Sequence, residues 1–201
     1  MIETALLISS YLLGSVPFGF LIGRWVKGVD IRNFGSGNIG ATNVVRVVGK
    51  KWGILVFFLD FLKGLSAPCL SAYILPGSAN FVIVFSAILV VCGHNWTVFL
   101  KFKGGKGVAA SLGAIVGLAF IFSGLWGALI AALAVWLAIF SIFKYVSAAS
   151  LAASGVFFVY SLASTAPLEI KFLSALFFIL IVVRHKKNIL CLLTKKEHRF
   201  R

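Results

Sequence analysis

Long uncharged apolar runs alternate with short polar segments along nearly the whole chain. Thr4–Gly23 is an uncharged run of 20 residues, about the length a helix needs to cross ~30 Å of hydrocarbon. Gly14, Pro17 and Gly19 near its end predict a kinked or broken exit. The polar segment Arg24–Trp52 follows. A second span runs from Gly53 to Leu75 and is closed by Pro76-Gly77-Ser78, and a third runs from Asn80 to Gly93 into His94-Asn95-Trp96. Between Lys106 and Lys144 stand 37 uncharged residues, which at ~1.5 Å per residue is roughly 55 Å of helix and too long for one crossing. Ser123-Gly124 supplies a hairpin there, giving a fourth and a fifth span. Tyr145–Leu168 is the sixth, ending at Thr165-Ala166-Pro167, and Lys171–Val183, extendable from Leu168, is the seventh. None of these runs alternates with the two-residue period of a barrel strand. The pattern predicts an all-α integral membrane protein, a seven-transmembrane-helix bundle forming one domain over residues 1–201.

Composition agrees with that class: 61% of residues are hydrophobic, 12% are charged, and mean hydropathy is +1.06. A soluble domain is about 45–50% apolar and about 25% charged. The N-terminus has no basic leader, only Glu3, and its apolar run is as long as a full span, so it reads as the first helix rather than a cleaved signal. Cys69, Cys92 and Cys191 have neither metal-ligand nor disulfide spacing and read as inert thiols. Charge fixes the orientation. Of 19 Lys and Arg, seventeen fall on Arg24–Trp52, His94–Gly107, Lys144 and the tail Arg184–Arg201, all on one face of a seven-span topology. The positive-inside rule puts that face, with the tail, in the cytoplasm and the N-terminus outside. For the tail cluster Lys195, Lys196, Arg199 and Arg201, stop-transfer and contact with anionic lipid are sufficient roles.

Candidate chemistry gathers on the same face. Gly35–Arg46 reads GSGNIGATNVVR, a polar island with no core-forming role. Its glycines let backbone N–H groups turn inward as an anion nest, and Arg46 can close it with a planar fork. Ser36, Gly37, Asn38 and Asn43 are candidate phosphate contacts. Basic residues precede three helix N-termini on this face, at Lys50-Lys51, Lys103 with Lys106, and Lys144. Cations there oppose the macrodipole, and a bound anion offsets that. Lys103-Gly104-Gly105-Lys106-Gly107 adds a second glycine loop with a point charge. It lacks the spacing of a nucleotide-hydrolysing loop. In Lys144–Ser150, Ser147 is an expected N-cap with Ser150 N–H as its partner, while Ser150 serves either close packing or the site. His185 and Asn188 stand three apart and share a face if the helix continues through them. Asp60 and Lys63 are expected to neutralise each other inside the bundle, and Asp30 and Arg32 to pair at the surface. The five carboxylates are Glu3, Asp30, Asp60, Glu169 and Glu197. So few acids on the basic face argue against a metal-dependent phosphotransferase. A transporter for an organic phosphate or anion is the other class that broken spans and a basic vestibule suit, although seven spans do not divide into matched halves.

Taken together, LLGSVPFG at Leu12–Gly19, GSGNIGATNVVR, LDFLKG at Leu59–Gly64, GHNWTVFLKFKGGKGVA at Gly93–Ala109, KYVSAAS and RHKKNI at Arg184–Ile189 resemble the acyl-phosphate:glycerol-3-phosphate acyltransferases of bacteria. The resemblance spans the whole chain. It implies a multi-pass enzyme of the bacterial inner membrane, working at the cytoplasmic face. Such an enzyme moves a fatty acyl group from acyl-phosphate to the sn-1 hydroxyl of glycerol 3-phosphate and forms lysophosphatidic acid. It implies no metal, no cofactor and no nucleic-acid partner; membrane lipids surround it, and the lability of its donor suits docking of the soluble enzyme that makes acyl-phosphate. No His and Asp separated by four residues occurs, since Phe99 follows His94 at that spacing and Leu190 follows His185. The expected site has Arg46, Lys106 and Ser36 on phosphate oxygens, with Ser147, Ser150, His185 and Asn188 completing it. The proton goes to His185 or to a substrate phosphate. Gly104 and Gly105 are expected to let a phosphate approach the backbone, and backbone N–H groups of the glycine loops to hold the oxyanion.

Overall fold

The computed structural model describes residues 1–76 and 80–200, and every regular element among them is a helix. Gly77 and Ser78 of the expected turn after the second span, and Arg201, lie outside the described residues. The chain packs as two compact units, Met1–Leu118 and Ala119–Arg201.

In the first unit the first apolar run is two helices, α1 (Ile2–Ser15) and α2 (Phe18–Lys27). Pro17 has no N–H to continue the ladder and disfavours helical backbone before it, and Val16 accordingly has ψ 114°. The polar segment that follows is folded. It carries the short helix α3 (Ala41–Val47) and rests on a buried apolar floor of Ile22, Ile31, Ile39, Val44, Val56 and Leu100. Two longer helices, α4 (Lys50–Ile74) and α5 (Asn80–Asn95), and most of α6 (Val108–Ile121) complete the unit. Glycines bring these helices into backbone contact. A Cβ on Gly14 would collide with the Val90 main chain and one on Gly93 with the Tyr11 carbonyl, so α1 lies directly on α5. Gly64 and Gly113 do the same between α4 and α6, against Ala110 and Phe61.

The second unit holds α7 (Leu125–Phe143), α8 (Val146–Ala163), α9 (Leu168–Arg184) and α10 (Lys186–Leu193). The α7–α8 hairpin turns at Lys144, whose φ is 59° and whose N–H donates to Phe140 O. Aromatic side chains from α7 and the tail meet along it, with Phe140 between Trp136 and Phe200. The sixth expected span ends at Ala163, five residues early, where Ser164 N–H closes the last turn.

Among the described residues, five helical stretches are long and apolar enough to cross a membrane: Ile2–Lys27, Lys50–Ile74, Asn80–Leu100, Leu125–Phe143 and Val146–Ala163. Helix α6 has 14 residues, about 21 Å at ~1.5 Å per residue, and α9 has 17 with Glu169 and Lys171 near its start.

Candidate functional site

In the first unit the loop before α3 is built around one side chain. Asn43, fully buried, accepts the N–H of Ser36 at 2.9 Å and donates through Nδ2 to the carbonyls of Asn38 (2.9 Å), Phe34 (3.1 Å) and Ile31 (3.2 Å). An amide nitrogen has two hydrogens, so these three carbonyls use its whole donor capacity. Asn43 therefore shapes the loop and is not a phosphate contact, which corrects the reading of it as one. Asn38 folds back as well, its Oδ1 accepting Gly40 N–H at 2.8 Å. Gly35 and Gly37 take left-handed backbone, φ 59° and 69°, and a Cβ on Gly35 would overlap Asn43 Oδ1. Ser36 and Gly37 are left exposed at the tip, and Arg46 is exposed on the last turn of α3.

Beside this loop, Asp30 and Arg32 pair through two parallel bonds, Nε to Oδ1 at 2.9 Å and Nη2 to Oδ2 at 2.6 Å. The guanidinium holds the Asp30 carboxyl down at about 2, and the carboxylate in turn raises Arg32. So weak a base takes no proton from an alcohol near neutrality, and Asp30 is a structural group.

The second glycine loop sits on the end of α5. Gly105 N–H donates to His94 O at 2.9 Å and Gly104 N–H to Asn95 O at 3.2 Å. The last carbonyls of a helix lack intrahelical donors, and this loop supplies them. These two N–H groups hold the loop down on the end of α5. Lys106 follows at intermediate exposure, then buried Gly107 at φ 82°, whose carbonyl accepts Ser111 N–H at the start of α6. Beneath the loop, Lys63 Nζ lies 2.9 Å from Asp60 Oδ1, so the expected pair is formed, and it also donates to Val16 O at the α1–α2 break, again at 2.9 Å. His94 Nδ1 is 3.4 Å from the same Asp60 oxygen.

The second unit carries the remaining candidates. The chain does not stay helical through His185, which ends α9 and precedes α10 with φ −99° and ψ 6°. His185 is 2% exposed and its Nδ1 lies 2.8 Å from Ile181 O. A carbonyl only accepts, so Nδ1 carries the hydrogen, and in the neutral ring Nε2 is the basic nitrogen. Ser147 is not the N-cap of α8. That position is Tyr145, and Ser147 Oγ donates to Glu197 Oε1 at 2.9 Å. Asn188 Nδ2 donates to the same oxygen at 2.7 Å. Glu197 lies in the basic tail, and its being one of five acids in the chain is the signal the sequence carries for it. Ser150 Oγ donates to Val146 O at 2.8 Å and accepts Trp136 Nε1 at 3.2 Å, which commits its hydroxyl to α7–α8 packing. Among the described residues no three His, Cys, Asp or Glu side chains group as a metal site.

Residues 4–195 match the family model for Glycerol-3-phosphate acyltransferase. A glycerol-3-phosphate acyltransferase of Aquifex aeolicus (strain VF5) is 46% identical over 97% of both chains, and one of Myxococcus xanthus (strain DK1622) is 43% identical over 98% of this chain and 99% of that one. The fold is similar to a crystal structure of an integral membrane glycerol 3-phosphate acyltransferase in its glycerol 3-phosphate form. That match has a TM-score of 0.91 and 42% identity, covering 100% of this chain and 96% of the other. The lysophosphatidic acid form of that enzyme gives 0.87 at 41% identity.

Proposed function

Because the chain belongs to the glycerol-3-phosphate acyltransferase family, we propose that it acylates glycerol 3-phosphate at the sn-1 hydroxyl, with acyl-phosphate as donor and lysophosphatidic acid as product. The observation that carries this is the full-length match, in sequence and in fold, to an acyltransferase solved in glycerol 3-phosphate and lysophosphatidic acid forms. The protein is a seven-span protein of the bacterial cytoplasmic membrane, with α6 and α9 as the two short spans, the N-terminus outside and the basic face in the cytoplasm. One-sided placement of seventeen of the 19 cations supports that topology.

In this reading Arg46, Lys106 and Ser36 take phosphate oxygens, with Gly37 and Asn38 shaping the tip. Acyl-phosphate is a mixed anhydride, so the sn-1 oxygen attacks its carbonyl carbon, the bond from that carbon to the phosphate oxygen breaks, and inorganic phosphate leaves. The hydroxyl proton goes to His185 Nε2 or to a phosphate oxygen. The Nδ1 contact with Ile181 O favours His185 in the tautomer that can accept it. Asn188 and Ser147 are donors that already hold one anion, the Glu197 carboxylate. Most of the rate comes from holding two anions in reacting position. The test is purified enzyme with labelled glycerol 3-phosphate and synthetic acyl-phosphate, without metal. Lysophosphatidic acid is expected from acyl-phosphate and none from acyl-CoA. Lys106→Ala and His185→Ala should each cut turnover about 100-fold or more. Near-normal turnover in both would show these roles to be wrong.

A further inference from the structure

Three buried ionisable side chains of the first unit have no part in the transfer step: Asp60 and Lys63 on α4 and His94 on α5, each 5% exposed or less. Lys63 alone balances the charge of Asp60, being 2.9 Å away on the same helix. Electroneutrality does not require His94, yet its Nδ1 faces Asp60 Oδ1 at 3.4 Å. At 3.4 Å this contact is longer than an ordinary N–H···O bond of about 2.7–3.2 Å, so it is the placement beside the carboxylate that leaves the ring with Nδ1 toward α4 and Nε2 pointing the other way. Nε2 points at the glycine loop. The three atoms nearest to a Cβ built on Gly105 are all His94 ring atoms, with Nε2 in direct overlap. The main chain of the same residue accepts Gly105 N–H. His94 thus touches Gly105 through both its carbonyl and its ring, and Lys106 is the next residue.

We propose that His94 is a positioning residue, a rigid spacer that the Asp60–Lys63 pair orients and that sets the height of Gly105, and so the aim of Lys106 at a substrate phosphate. This rests on the reading of Lys106 as a phosphate ligand. It also accounts for the glycine at 105: any side chain there would meet the ring. The ring itself is buried and lies against the loop. Lysine places a single point charge, so small displacements of its backbone act directly on phosphate binding. The phosphate concerned belongs to glycerol 3-phosphate or to the acyl donor, and kinetics separates the two.

The experiment is steady-state kinetics on purified His94→Asn, varying glycerol 3-phosphate and a synthetic acyl-phosphate in turn. Asparagine keeps a donor toward Asp60 but withdraws the ring from Gly105. Expected is a KM raised about tenfold or more for one of the two substrates, with kcat changed less and an unfolding midpoint close to that of the wild type. Gly105→Ala, which presses on the same contact from the loop, should raise the same KM. In a Lys106→Met background, His94→Asn should change that KM by less than about twofold, because the group being aimed is gone. Unchanged KM values in folded His94→Asn overturn the proposal. So does an effect that multiplies in full with Lys106→Met, or a Gly105→Ala variant that alters the other substrate's KM instead. A His94→Asn chain that does not fold also overturns it, since the ring would then hold the bundle rather than the loop. Lys106→Met alone separates the two readings. If it leaves turnover and both KM values unchanged, the phosphate role of the loop fails; if it raises one KM and His94→Asn does not, only the role of His94 fails.

Discussion

At the scale of single residues, Asn43 spends its amide entirely within the chain, so its removal is felt as loop folding before it is felt as binding. Asn43→Ala strands Ser36 N–H and several carbonyls, and a loss of about 1–3 kcal/mol is expected, read as a lower unfolding midpoint in detergent. Asn43→Asp should lose more, because it also places an acceptor against carbonyls. The role of Asn43 was not legible in GSGNIGATNVVR: spacing shows that a polar residue is present, not whether it points at a ligand or at its own loop. The Asp30–Arg32 pair was legible, because a single residue separates the partners and no distant contact decides it. Its pH dependence follows from sign. The Asp30 carboxyl titrates at about 2 in the fold against 3.8 ordinarily. Its stabilisation is therefore complete above the ordinary value and is lost as pH falls through about 2. Unfolding midpoints of wild type and Asp30→Asn should differ at pH 5 to 7 and converge toward the acid end.

At the scale of elements, the helix pairs α1–α5 and α4–α6 meet backbone to backbone at glycines, and a methyl group is enough to part them. Gly113→Ala drives a Cβ into the Phe61 carbonyl of α4 and should cost about 1–3 kcal/mol. Gly124→Ala is the control, since a Cβ there meets nothing within 4 Å and the stability should not fall. The break after α1 could be read from sequence because proline enforces it locally. The interruption at His185 could not, because Arg184-His185-Lys186 contains no breaker and the two helices part in non-helical backbone at a residue that any pattern would extend. Nor could the work of Gly104 and Gly105 be read. A glycine pair beside two lysines suggests an anion nest, and only the position of the α5 terminus shows that their N–H groups cap it.

At the scale of the molecule, the alternation of apolar runs and turns gave the helical membrane class, and the helices follow those runs closely. Charge asymmetry makes the topology testable. With Cys69, Cys92 and Cys191 replaced by alanine, single cysteines at Ser123 and His198 should be modified by an impermeant thiol reagent from opposite sides of sealed vesicles. Labelling from the same side would overturn the seven-span orientation. The ion pair of α4 bears on how such a chain enters the bilayer at all. Asp60 and Lys63 lie one turn apart on the same helix, so they can neutralise each other before α5 has been synthesised. Each charge alone would cost about 2.5–3.5 kcal/mol at mid-membrane on the insertion scale. With both on one helix, α4 can leave the translocon as an electrically neutral segment, and His94 joins a pair already made. Lys63→Met should therefore show its first defect during biosynthesis, as α4 segments left uninserted in newly made chains, rather than in the activity of chains that have matured.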